Sequence, residues 1–317
     1  MTRAEQGNET AVVEFIILCF QSIPEVECML FVIFLVTYFT TLSGNLLITV
    51  LVVTDHRLHS PMFFFLGNLS FLETCYTSTI LPRMLASFLK KKYVISLNGC
   101  FLQYFFFTGL AGAECCLLTA MSYDRYIVIC KPLHYTTIMN GRCCLQLAGV
   151  SWVNGLLASA IVTSLMPQLT FCGPNEIDHF FCDFAPVVKL SCSDTHWIEL
   201  VTFILASLLT LPPFLLTLIS YVCISYTVLR IPSSTGRHNA FSTCSSHLTV
   251  VTLFYGTLMV VYLLPKPNTL GDLHKVFSVC YTVLTPLVNP LIYSLRNNNI
   301  KKALRTALNK YMFFDKA

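Results

Sequence analysis

Hydrophobic positions in this chain do not alternate with polar ones; they gather in long runs separated by charged or turn-forming residues. A hydrocarbon core about 30 Å thick takes roughly 20 apolar residues in helical form, so runs of that length bounded by charge predict spanning helices. Seven such runs occur, from Cys28 to Val53, Pro61 to Pro82, Gly99 to Tyr123, Cys143 to Met166, Leu200 to Leu229, Ala240 to Leu264 and Val276 to Leu295. A membrane barrel would instead show alternating segments of about ten residues. The pattern predicts an all-α membrane protein, a seven-transmembrane helix bundle over 28–295. Residues 1–27 precede it as an outer N-terminus, and 296–317 follow as an inner tail.

Composition agrees, since 55% of the 317 residues are hydrophobic and 11% charged. Lipid is the solvent for most of such a chain. In the tail, Ile300, Ala303, Leu304, Ala307 and Leu308 lie opposite Lys301, Lys302, Arg305 and Lys310, which predicts a short amphipathic C-terminal helix on an anionic leaflet.

Basic residues near span ends orient the bundle. An outer N-terminus puts Arg57, Arg125, Lys131, Arg142, Arg230, Arg237, Arg296, Lys301, Lys302, Arg305 and Lys310 inside, against a smaller outer set in which Lys90, Lys91 and Lys92 reduce the margin. Asn8, Glu9 and Thr10 form an N-x-T glycosylation acceptor, usable only on the lumenal side. The apolar patch Phe15 to Phe20 is too short and too acidic in its flanks for a cleavable signal peptide.

Of the fifteen cysteines, most lie within spans, where a thiol acts as a small hydrophobe. Cys100, Cys172, Cys182 and Cys192 lie at the outer face, and an even set there suggests two disulfides. A metal site with His179 and His196 is the alternative, without a C-x-x-C spacing to favour it.

Carboxylates at membrane depth mark function. Glu73 stands twelve residues after Pro61, about 18 Å of helix, and Glu114 is at similar depth, as are Asn45 and Asn289. The four suit a hard cation such as sodium, or alternatively a protonated, hydrogen-bonded contact between helices. Arg125 follows Glu114 by eleven residues, nearly three turns, so both face one side of a central third span. Pro212, Pro213, Pro286 and Pro290 permit kinks in the later spans.

At this point the motifs resemble those of the odorant receptor family of rhodopsin-like G-protein-coupled receptors, in its tetrapod-type class. They are Gly44 and Asn45; LHSPMFFFLGNLSFL from Leu58 to Leu72; MSYDRYIVICKPLHY from Met121 to Tyr135; Ser220 and Tyr221; AFSTCSSHL from Ala240 to Leu248; and PLVNPLIYSLRN from Pro286 to Asn297. Glu73 stands in place of a more usual aspartate, Asn239 of a lysine and Lys131 of a histidine.

The resemblance implies a multi-pass plasma-membrane receptor, with an extracellular N-terminus and cytoplasmic C-terminus, that binds odorants and activates a stimulatory heterotrimeric G protein, raising cyclic AMP. It implies an activation switch at Asp124, Arg125 and Tyr126, supported by Tyr221 and Tyr293. It further implies a sodium-linked core of Asn45, Glu73, Glu114 and Asn289, and disulfides joining Cys100 to Cys182 and Cys172 to Cys192.

A rhodopsin-like bundle places its ligand among the outer halves of the third, fifth, sixth and seventh spans. The expected lining is Phe107, Thr108, Ala111 and Gly112, with Ala206, Leu209 and Thr210, then Tyr255, Leu258, Met259 and Tyr262, and finally Val279 and Thr282. These residues carry a few hydroxyls and no charge, which suits a small uncharged volatile ligand. An intramembrane enzyme would need clustered Asp, His or Ser, yet His56, His59, His134 and His247 share no carboxylate. A channel or transporter would show a continuous polar lining, whereas the acids here occupy one level. Nothing in the pattern suggests a nucleic-acid partner.

Overall fold

The computed structural model describes residues 13–19, 24–90, 93–172, 174–263 and 271–314. Side chains at 24–25, 239–243, 260–263, 271–274, 294–296, 298, 308 and 310–314 are outside that description. Asn8 and the side chain of Tyr262 therefore fall outside the described residues.

Seven long helical segments form one bundle. The spans run Pro24–Thr54, Pro61–Leu89, Leu97–Cys130, Gly141–Leu165, His196–Leu229 and Ser234–Leu263, and the seventh is built from Gly271–Val279, Cys280–Leu284 and Thr285–Arg296. Five stretches, in the first, third, fourth, fifth and seventh spans, are long and apolar enough to cross a membrane by length and composition. The second and sixth helices, of 29 and 30 residues, complete the seven. A further helix, Asn298–Phe314, follows the bundle.

Local chemistry fixes several ends. Pro61 opens the second span at a position where its missing N–H costs nothing. Ser96 and Asn140 cap the third and fourth by accepting from Gly99 N at 3.2 Å and Cys143 N at 2.9 Å. The second span continues past Pro82 to Leu89, and the first begins at Pro24, four residues before the expected start. Such extensions carry little apolar signal, because they rise beyond the hydrocarbon core.

Proline chemistry shapes the seventh span. Pro290 has no N–H to give the Pro286 carbonyl, and Asn45 Nδ2 of the first span donates to it instead, at 3.1 Å. The approach is close: a Cβ on Gly44 would lie 3.2 Å from the Pro290 ring. Just outward, Cys280–Leu284 forms a π-turn, an irregularity frequent at functional sites.

The third span is the buried axis. It packs on the fourth through small residues, and a Cβ on Gly155 would collide with backbone atoms of Gly109 and Ala113. Trp152 Nε1 donates to Asn68 Oδ1 at 3.3 Å, tying the fourth span to the second.

The end of the bundle that the basic residues place outside carries a three-stranded sheet, which the apolar runs do not predict. β1 (Glu14–Ile17) lies between β2 (Tyr93–Ser96), antiparallel, and β3 (Glu176–Ile177), parallel. The register sets Glu14 against Ser96 and Ile16 against Glu176. Phe15 is fully buried and meets Phe171 edge-on at 5.1 Å. Residues Phe15 to Ile17 of that apolar patch thus belong to the central strand of this sheet.

Candidate functional site

At the outer mouth, Cys100 is bonded to Cys182 and Cys172 to Cys192, with Cα separations of 5.4 and 6.0 Å. Gln103, one turn inward from Cys100, accepts from Cys182 N at 3.2 Å and donates to Thr79 O at 3.1 Å. The outer loop is therefore held to the second and third spans. Its Phe181 descends onto Phe107, with ring centroids 4.6 Å apart, and Phe107 in turn meets Tyr76 at 5.2 Å and Tyr281 at 6.0 Å. Lys275 at the start of the seventh span pairs with Asp178 of the same loop.

Below this aromatic layer the expected lining residues divide. Phe107, Ala111, Tyr255, Leu258 and Val279 belong to one apolar cluster. Leu209, Thr210 and Met259 are half-buried. Gly112 sits at a helix contact, where an added Cβ would lie 3.0 Å from Leu209 and 3.1 Å from the Gly155 backbone. Thr108 is turned toward the fourth span, 2.6 Å from Ser159 Oγ, and donates to Tyr104 O. Ala206 is exposed, while Leu205 beside it packs into the outer cluster. Helical rotation accounts for these three placements: on the third and fifth spans the inward arc is narrower than the expected set.

The hydroxyls near this wall are already engaged. Tyr255 donates to Cys115 O at 3.2 Å, joining the sixth span to the third, and Thr282 donates to Ser278 O at 2.6 Å. What remains available from Tyr255, Thr282 and Thr108 is chiefly apolar surface.

Deeper in the bundle, Asn289 Nδ2 donates to Glu73 Oε1. Asn45 Oδ1, Glu73 Oε2, Glu114 Oε1 and Asn289 Oδ1 are buried with no hydrogen-bond partner among the described residues. Buried oxygens normally find a donor or a cation. The hydroxyls of Thr41 and Thr77, one turn outward of Asn45 and Glu73, are in the same condition. This donor set of hard oxygens, two of them carboxylic, fits a small hard cation.

At the inner end, Arg125 pairs with Asp124 at 3.3 Å, both nearly buried, and Tyr135 of the short helix Tyr135–Ile138 donates to Asp124 Oδ1 at 2.9 Å. Burial, and then the Asp124 charge, push the Tyr135 hydroxyl pKa up, so it stays a donor. Tyr221 shares a hydrogen bond with His247 Nδ1, and Tyr293 is buried. Ile224, Val228 and Cys244 form a small cluster against which Tyr126, Ile129 and Cys130 pack. The inner ends of the third, fifth and sixth spans are thereby closed together, with Arg125 held by its neighbour.

Comparison with known proteins decides the family. A family model described as olfactory receptor matches residues 34–311. Human olfactory receptor 6N1 is 48% identical over 306 residues, covering 96% of this chain and 98% of that protein. Human olfactory receptor 11A1 is 49% identical, covering 95% of each. Mouse olfactory receptor 5AP2 is 45% identical over 98% of this chain and its own full length. The chain belongs to the olfactory receptor family. It is a multi-pass membrane receptor of the G-protein-coupled type, not an enzyme.

Within this olfactory receptor several participating residues escape a reading of the sequence. Phe181 and Gln103 act through a contact between the outer loop and the third span, which no local pattern announces. His247 stands in the sequence as a histidine near the inner face and as one letter of the motif Ala240 to Leu248, and Tyr135 as the last letter of another; neither pattern names its partner. Thr41 and Thr77 did carry a signal, since each lies four residues outward from a polar core position on the same helical face.

Proposed function

We propose that this olfactory receptor binds small, uncharged, largely apolar volatile molecules and activates a stimulatory olfactory-type heterotrimeric G protein, raising cyclic AMP. The wall would be formed by Phe107, Ala111, Leu209, Thr210, Tyr255, Leu258, Met259, Val279 and Thr282. One observation carries the ligand class: these residues bear no charge, and the hydroxyls of Tyr255 and Thr282 are spent inside the bundle. An ionised ligand would lose its hydration there without a partner, at several kcal/mol. A neutral one gains about 25 cal/mol per Å² of apolar area buried.

Signalling would run through the inner switch. Release of Arg125 from Asp124, with opening of the cluster at Ile224, Val228 and Cys244, would free the inner face for the G protein. That face carries the basic residues in the orientation we infer, with the N-terminus outside and the tail at the cytoplasmic leaflet of the plasma membrane. Asn45, Glu73, Glu114 and Asn289 would hold a sodium ion whose charge balances the buried acids and favours the closed arrangement.

The test is a cyclic-AMP reporter screen in cells co-expressing the receptor and a stimulatory olfactory-type G protein, against a panel of uncharged volatiles. Arg125→Ala serves as the control. At least one neutral compound should activate the receptor and fail on the variant; activity that survives Arg125→Ala would overturn the proposed switch.

A further inference from the structure

We propose that two copies of this receptor associate in the membrane through their fourth spans, with Asn154 of each copy hydrogen-bonded to Asn154 of the other. The inference is independent of the ligand and of the inner switch; it needs only that the fourth span crosses the bilayer.

Asn154 stands thirteen residues after Gly141 and eleven before Leu165, about 20 Å and about 17 Å of helix from the two ends, so it lies near the bilayer midplane. One face of this span is buried on the third, where Gly155 meets backbone and Ser159 Oγ donates to Phe105 O at 2.8 Å. Asn154 is on the outward side. It is exposed together with Val150, Val153, Leu157 and Ile161, which recur at helical spacing along one stripe. Among the described residues no other carboxamide, carboxylate or basic side chain is exposed at the middle of a span.

A carboxamide presents two N–H donors and an oxygen that needs a donor in return. Asn68 on the second span shows how the fold satisfies one. Its Nδ2 donates to Phe64 O at 2.9 Å, four residues back in its own helix, and its Oδ1 accepts from Trp152 Nε1 at 3.3 Å. Asn154 forms no hydrogen bond with any described residue. Turning its Nδ2 to the Val150 carbonyl, the equivalent group in its own helix, would still leave Oδ1 without a donor, because the stripe around it is aliphatic. Lipid supplies none either: acyl tails carry no donor, and headgroups and water lie about 15 Å away across half the hydrocarbon core.

A second copy is the occupant this chemistry selects. Receptors inserted in one membrane share one orientation, so a two-fold axis along the membrane normal sets the same residue of each copy at the same depth. There each Asn154 Nδ2 donates to the other Oδ1, and two reciprocal bonds join groups that are otherwise unsatisfied. Val150, Val153, Leu157 and Ile161 pack around the pair, and an amide at one seam position fixes the register of the contact. A foreign helix would satisfy the amide only by carrying a polar group at that same height.

The experiment uses the full-length receptor, labelled with one fluorophore per chain and reconstituted in phosphatidylcholine vesicles at increasing lipid-to-protein ratio. Single-molecule photobleaching counts the copies per spot. Wild type should show two-step spots that give way to one-step spots on dilution, and Asn154→Leu should dissociate at a protein density about five-fold higher or more. Asn154→Gln keeps donor and acceptor and should stay closer to wild type than to the leucine variant. One-step spots for wild type at every dilution, or the same dilution curve for Asn154→Leu, overturn the proposal. A photo-crosslinking amino acid at Leu157 gives a second reading that leaves Asn154 in place. It should yield covalent dimer, whereas the same group at the exposed Val36 of the first span should not. Monomer alone from Leu157, or equal dimer from both positions, overturns the fourth-span contact.

Discussion

The Tyr221 hydroxyl and His247 Nδ1 lie 2.5 Å apart, with their rings within 21° of parallel, so one hydrogen bond joins the fifth and sixth spans near the inner end of the bundle. His247 is nearly buried, and its neighbours Cys244 and Val250 are buried with it. The bond belongs to the closed arrangement in which Arg125 remains paired with Asp124.

Replacing His247 with leucine should destabilise that arrangement. The half-buried Tyr221 hydroxyl would lose its acceptor, at a cost of about 1 kcal/mol. The agonist-free receptor in detergent should then melt several degrees lower. An unchanged melting temperature would show that the bond contributes nothing here.

The contact between the third and fourth spans should be intolerant of one methyl group. In Gly155→Ala the new Cβ meets backbone, which cannot rotate away, so the helices must separate at a cost of at least about 1–3 kcal/mol. Gly149→Ala on the same helix has nothing within 4 Å of the added atom and should be silent. Surface expression measured side by side distinguishes them; equal levels would contradict the packing described.

Cys100 and Cys182 close a chain segment of 82 residues. Removing such a crosslink costs about 4 kcal/mol in the loop-entropy account. Cys100→Ser should therefore lower the amount of receptor reaching the surface, and peptide mapping of mature wild-type protein should find neither cysteine alkylated. Free thiols at these positions would refute the link.

Much of this was legible in the sequence, and the boundary is physical. Apolar runs report helices because lipid demands internally bonded backbone, so all seven spans are readable without any contact being known. Asp124 and Arg125, or Glu73 and Asn289, stand out because charge or amide groups at that depth are costly. Phe15 gives no such signal: its strand exists only because β2 and β3 supply partners from residues far along the chain. Thr108 and Gly112 were expected at the ligand wall from the likeness to a rhodopsin-like bundle, and their contacts with Ser159 and Gly155 turn them toward the fourth span. Helical periodicity gives a face to within about one residue, and the third span has neighbours on every side.

The polar core predicts a sodium effect. If a cation lies among Glu73, Glu114, Asn45 and Asn289, then Glu114→Gln removes one carboxylate from it and should weaken any suppression of basal signalling by sodium. Basal cyclic AMP compared between sodium and an impermeant organic cation reads this out. An identical sodium response in wild type and variant would leave the acids as hydrogen-bonding groups only.

The most direct test of the ligand account is the concentration–response curve of Ala111→Trp against an uncharged activator of the wild type, with surface level measured on the same cells. Ala111 is half-buried against the apolar cluster that also holds Tyr255 and Leu258, and an indole there takes the volume a ligand would occupy. The account predicts a variant that reaches the surface and loses its response to the neutral activator. Full potency in that variant, or a potent agonist carrying a permanent charge, would contradict it.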